Sequence, residues 1–173
     1  MKHFYNFFTF FLILSCDTDN TIVKYQNEKI PLSIAQDFKM EYTDSTITKS
    51  IVSGKYHYDF TNDRLNYSEF FDNVELTIYD KNKVSIINSD YAIVFNNYKF
   101  IEFSGNVNIK TSENEILKSN ILYYDTENEW LFTEEEFEYI DESNKIIANR
   151  LDSNRDFTDL VTGSLTGTIN ISD

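Results

Sequence analysis

Cysteine, proline, histidine and glycine are all scarce: the 173 residues include one, one, two and four of them. A single cysteine cannot close an internal disulfide, so the folded part of the chain must be held by packing. Histidine chemistry has almost nothing to work with. His3 lies at the very start, and His57, in Lys55-Tyr56-His57-Tyr58, has no nucleophile motif of the G-x-S-x-G type to accompany it. One histidine and one cysteine also fall short of a zinc ligand set. Positive charge is the other shortage, with 15 lysines and arginines against 29 acids and a net charge of −14. Nucleic-acid binding draws its affinity from cations on phosphates and is disfavoured. Lying on an anionic membrane surface is disfavoured for the same reason. A solvated acidic exterior is the simpler reading.

Long apolar runs are missing as well. Phe7-Phe8-Thr9-Phe10-Phe11-Leu12-Ile13-Leu14-Ser15 is too short to cross a hydrocarbon core of ~30 Å. Preceded by Lys2 and His3 and ended by Ser15, it reads as an export signal. Ile13-Leu14-Ser15-Cys16 resembles a bacterial lipobox, in which the signal is cut before a cysteine that then carries acyl chains. An uncleaved signal anchor and a plain secretory signal are the alternatives. On the lipobox reading residues 1–15 are the signal peptide, Cys16 is the lipid anchor, and residues 16–32 are a polar tether that ends near Pro31. Residues 33–173 then suit one domain, held at the membrane by acyl chains rather than by a protein face.

What the chain has in abundance is alternation. Phe38, Met40 and Tyr42 alternate with Lys39, Glu41 and Thr43; Val74, Leu76 and Ile78 alternate with Glu75 and Thr77; Phe103, Val107 and Ile109 share one parity through Gly105. A period of two places each apolar set on one face of a sheet. Asn62-Asp63, Asp80-Lys81-Asn82, Asn96-Asn97, Glu113-Asn114, Glu127-Asn128 and Ser143-Asn144 punctuate these runs with turn formers. The predicted class is all-β. A shift of 30 residues places Ser89 on Ser119, Phe100 on Trp130, Val107 on Phe137, Ile109 on Tyr139 and Ile116 on Ile146. Such a repeat predicts stacked hairpins around a shared interior. Ile121-Leu122-Tyr123-Tyr124 and Trp130-Leu131-Phe132 break alternation, as strands do that are covered on both faces or line an internal apolar space. Ordinary core aromatics and a groove for hydrocarbon chains both fit that pattern.

The acidic runs offer little chemistry. Asp152-Ser153-Asn154-Arg155-Asp156 begins like a calcium loop, but Phe157 stands where the turn needs glycine and Gly163 where a glutamate belongs. Glu134-Glu135-Glu136, or Asp59 with Asp63, would serve glycoside chemistry only if the fold set two carboxyls across a sugar. No catalytic residue, metal or cofactor is expected.

Gly105-Asn106-Val107, Thr111 with Glu115-Ile116-Leu117, Leu122-Tyr123-Tyr124-Asp125, Leu151-Asp152-Ser153-Asn154-Arg155-Asp156-Phe157 and Gly167-Thr168-Ile169, in that order, resemble LptC, the periplasmic component of lipopolysaccharide export, and the related LptA/OstA-type domain. The resemblance runs from about Phe38 to Ile171. It implies a single twisted β-jellyroll, open along one side like a folded taco and built from stacked short antiparallel strands. It further implies a non-enzymatic carrier that takes lipopolysaccharide from an inner-membrane ABC transporter and passes it along an apolar groove to a downstream LptA-like carrier. Phe103, Val107 and Ile109, with Phe137 and Tyr139 from the equivalent repeat, are the expected groove lining. Gly105 and Gly167 are expected at strand bends, and the stretch from Leu160 to Ile171 at the edge that meets the next carrier. Asp17 after Cys16 resembles an inner-membrane retention signal, which implies periplasmic residence on that membrane. The rival readings are a structural β-lipoprotein with a filled core and a carbohydrate-binding module with rings on an exposed face.

Overall fold

The computed structural model describes residues 29–95 and 99–165. Nine strands carry most of them: β1 (Ser33–Asp44), β2 (Ile47–Phe60), β3 (Tyr67–Asp80), β4 (Lys83–Phe95), β5 (Phe100–Thr111), β6 (Ile116–Asp125), β7 (Trp130–Ile140), β8 (Lys145–Asn154) and β9 (Leu160–Thr162). No helix occurs among the described residues. Each strand pairs antiparallel with the next, giving one open meander in chain order. The described turn groups fall between strands, apart from Asp80, which closes β3, as their Asn and Asp content predicts; Asn96-Asn97, like Cys16, Asp17 and Gly167, lies outside the described residues.

Strands β1 to β8 run for 10–14 residues, longer than the turn spacing suggests. They are long because each is two short runs joined through an irregularity. From β2–β3 to β7–β8 every pairing slips by one residue in mid-strand, for instance from Ser53↔Glu75 to Tyr56↔Phe71 and from Ser104↔Ile121 to Val107↔Ser119. Left-handed backbone follows the same line: Asp37 (φ 49°), Asp72 and Asn73 (59° and 57°), Gly105 and Asn106 (74° and 50°), and Arg150 (61°). Apart from Arg150 these are the residue types that tolerate positive φ. A bulge bends its strand and increases the local twist, and bulges aligned across neighbouring strands bend the whole sheet.

That bend folds the sheet onto itself. The β3–β4 turn and the β8–β9 loop lie at opposite ends of the strands in an up-and-down meander. Yet Arg155, just past β8, pairs with Asp80 at the end of β3 (Nη2–Oδ2 2.9 Å), and Tyr139 near the other end of β7 packs edge-on against Phe157 at 5.4 Å. Opposite ends meet because each long strand gives one half to each of two facing layers. Phe70, Ala92, Phe103, Leu122 and Leu131 lie on one side of the bend, in one layer; Val74, Ile87, Val107, Leu117 and Phe137 lie on its other side, in the facing layer, and all ten belong to one buried core. At roughly 1.5–3 kcal/mol per large apolar side chain removed from water, this interior is what holds the layers together. The result is a twisted, jellyroll-like sheet that is not closed into a barrel.

The 30-residue repeat is one hairpin long. Ser89 on β4 and Ser119 on β6 sit at the bulge, and each hydroxyl donates to the carbonyl two residues on, of Tyr91 and of Ile121, both at 2.9 Å. The segments apolar on both faces also resolve. Leu122, Tyr124 and Leu131 point into the core, while Tyr123 stacks on Phe132 (5.1 Å) and Phe100 (5.8 Å) in a cross-strand aromatic row on the outer face.

Candidate functional site

The two layers part on the β1–β5 side, leaving a cavity of about 630 Å³. One wall consists of Met40, Val52, Val74, Leu76 and Ile78, from the halves of β1, β2 and β3 beside the β1–β2 and β3–β4 turns. The facing wall is Phe70, Ala92, Val94, Ile101, Phe103 and Tyr124, from the opposite halves of β3 to β6. Both walls are apolar because the inward set continues through the bend: it keeps one parity on β3 (Phe70, Val74) and β5 (Phe103, Val107), and changes parity on β4 (Ile87, Ala92) and β6 (Leu117, Leu122), where the irregularity keeps the polar set from turning to the core. The volume falls within the ~300–1,000 Å³ of small-molecule sites.

The mouth of the cavity is polar. Glu41, Tyr42, Asp44 and Lys49 border it from one layer, Lys99, Glu127 and Glu129 from the other, and Asp80 and Arg155 stand together at one end. Tyr42 is 62% exposed. Lys99 Nζ lies 2.7 Å from Glu127, a hydrogen bond that raises the lysine pKa. Arg155 is 6% exposed and contacts Asp80 at 2.9 Å, Glu129 at 3.2 Å and Asp156 at 3.6 Å. Burial, which would lower its pKa, is outweighed by Tyr124, Glu129 and Asp156. Burial also pushes the Tyr124 phenol upward. The site therefore offers an apolar interior and a mouth of mixed charge with acids in excess.

The residues weighed for chemistry are occupied structurally. Asp152 accepts from Arg150 Nη2 at 3.1 Å, and the Asn154 side chain ties down the following loop through Thr158 Oγ1 (2.7 Å) and the Asp159 amide (3.1 Å). No group of metal-ligating side chains forms among the described residues. Asp59 accepts from the Thr61 amide, Asp63 pairs with Lys29 at 3.2 Å, and Glu134, Glu135 and Glu136 are exposed over the bulge of β7.

Phe103, Val107, Ile109, Phe137 and Tyr139 all reach the same core, the first four at 1% exposure and Tyr139 at 7%. Phe103 borders the cavity. Val107 and Phe137 border a second hollow of about 350 Å³ beside the bulge, shared with Asn106, Lys118, Glu136 and Glu138. Ile109 and Tyr139 lie in packed core, where the Tyr139 hydroxyl donates to Glu115 at 2.9 Å. Gly105 sits at the β5 bulge with φ 74°. Val74, Leu76 and Ile78 were visible as alternation but carried no mark of facing a cavity, and Val94 on the facing wall was not singled out. Arg155 had a clearer signal: Leu151, Ser153, Arg155 and Phe157 share one parity and all four are buried, so the arginine stands in an inward set.

No curated protein matches this chain. A family model does, described as lipopolysaccharide-assembly, LptC-related, over residues 7–160. That span takes in β1 to β8, both layers and every wall of the cavity. The chain belongs to the LptC-related family of lipopolysaccharide assembly.

Proposed function

We propose that this protein is a periplasmic lipoprotein that accepts lipopolysaccharide from an inner-membrane ABC transporter and hands it to a downstream β-jellyroll carrier. The family is a transport-associated, non-enzymatic component of lipopolysaccharide assembly. The observation that carries the finer reading is the apolar cavity between two layers with a polar mouth. Acyl chains gain roughly 0.8 kcal/mol per buried CH₂, while the sugar head stays in water at the mouth. Handover then needs a like groove next door and no bond is made or broken. The sheet ends suit docking by strand addition: β1 presents 12 residues with one side unpaired among the described strands, and β9 presents three before the chain reaches Leu165. Anchoring through Cys16, placement on the inner membrane, and docking by the Leu160–Ile171 stretch are parts of the same proposal.

Photo-crosslinking residues placed at Met40 and Val52, which are only partly buried at the cavity wall, test it in a lipopolysaccharide-producing host. Adducts carrying lipid A are expected at both positions and not at exposed Lys39. A folded protein without adducts, and free of extractable lipid by native mass spectrometry, would move the assignment to a structural lipoprotein.

A further inference from the structure

The cavity does not run the length of the sheet. Its walls come from β1 to β6, and beyond Arg155 the layers close on each other: Leu117, Leu131, Ala148 and Leu151 are at 0% exposure. At the boundary stands a charged group that apolar packing alone does not explain. Arg155 extends from the β8 end of one layer to Asp80 at the tip of β3 on the other, 75 residues away in sequence, while a second guanidinium nitrogen holds Glu129 in the β6–β7 turn. Its backbone amide also donates to the Glu129 carbonyl at 2.9 Å. Beside it Lys83, at the start of β4, pairs with Asp156 at 3.5 Å and with Glu113 at 3.1 Å. These contacts link strand ends that are not neighbours in the sheet.

We infer that Arg155 is a clasp that holds the two layers together on the β8 side and thereby ends the cavity there. A buried arginine with several carboxylate partners is a two-state element. Fully paired it is satisfied, and with a partner removed a buried charge is left uncompensated, so the layers gain by parting to hydrate it. Parting would join the cavity to the interface now filled by Phe137 and Tyr139, on the side of β9. For a carrier, a consequence that rests on the proposed function, this makes the clasp the gate between cargo held on the β1–β5 side and cargo delivered at the C-terminal edge.

The test uses the full chain and two variants, Arg155→Met and the double variant Asp80→Asn with Glu129→Gln, which keeps the arginine. Amide exchange read by mass spectrometry is expected to rise about tenfold or more in β8 and the β8–β9 loop, with β2 and β3 little changed, as for local opening. Unchanged exchange in β8 of the double variant, or an equal rise in every strand, would overturn the clasp. A photo-crosslinking residue at Tyr139 reads the gate: because Asp80 and Glu129 also border the cavity mouth, the readout is the ratio of lipid adducts at Tyr139 to those at Met40, which should be several-fold higher in the double variant than in the native protein. An equal ratio in the two proteins would overturn the gate. Raised β8 exchange with no adduct at either position would support the clasp and defeat the carrier reading instead.

Discussion

His57 lies against Phe70 with the rings 10° from parallel and 4.7 Å apart, and Phe38 covers it from 5.7 Å. Its Nε2 is buried and meets no hydrogen-bond partner among the described residues. Burial lowers its pKa, against the opposing pull of Asp59. The folded protein thus prefers the neutral ring, and the unfolded chain binds the extra proton. Stability contributed this way is complete above the unfolded value of about 6.5, declines as pH falls below it, and levels off once the folded-state value is passed. His57→Phe keeps a ring on Phe70 and removes the titration. Urea midpoints measured from pH 7.5 to pH 5 should fall for the native protein and stay flatter for the variant. Equal slopes would mean that the imidazole takes its proton without leaving the stack. His57, for which the sequence offers no nucleophile partner, is thus a half-buried strand ring packed on the core residues Phe38 and Phe70.

At the scale of the strand, the bulge is the feature that makes this fold, and it was only half legible. Alternation in Val74, Leu76, Ile78 and through Phe103, Val107, Ile109 places the inward residues correctly, and Gly105 marks a bend. What alternation does not carry is that Asp72-Asn73 and Gly105-Asn106 are the same device on β3 and β5, because polar pairs inside an apolar run read equally well as turns. The facing of opposite strand ends was hidden for a similar reason: a period of two assigns a residue to a face, not a half-strand to a layer. The energetic weight of the bulge is open to test at Gly105. A Cβ there would lie 2.7 Å from Asp90 Oδ2 and 3.0 Å from Asp90 Cβ, with φ at 74°. Asp90 cannot yield freely, since its carboxylate accepts from Asn106 Nδ2 at 2.7 Å. Gly105→Ala should cost about 1–3 kcal/mol in denaturant unfolding. Asn106→Gly, which relieves backbone strain and loses one exposed hydrogen bond, should change stability by less than about 1 kcal/mol. Equal costs for the two would show that the Asp90 contact, and not backbone geometry, governs the bend.

Over the whole molecule, charge and the proposed cargo pull in opposite directions. The chain carries 29 acids against 15 bases, and the cavity mouth repeats the imbalance, with Glu41, Asp44, Asp80, Glu127 and Glu129 against Lys49, Lys99 and Arg155. Two of those three cations are already committed, Lys99 to Glu127 and Arg155 to Asp80 and Glu129. A phosphorylated glycolipid entering head-outward therefore meets like charge, and its binding must come from acyl burial. Burial wins easily on magnitude, because each additional CH₂ contributes roughly 0.8 kcal/mol, whereas exposed like charges at the mouth are screened over ~10 Å at 0.1 M salt. The repulsion should still be measurable as a difference between two ligands that share their acyl chains. At 20 mM salt a dephosphorylated lipid A is expected to bind about two- to fivefold more tightly than its phosphorylated form, and the gap should close by 0.5 M salt as screening shortens to a few ångströms. Comparing the pair cancels the effect of salt on acyl burial itself. A phosphorylated form that binds more tightly at low salt would instead make Lys49, Lys99 and Arg155 an anion site strong enough to displace their own carboxylates, and the mouth would then select the head group that the acidic surface otherwise repels.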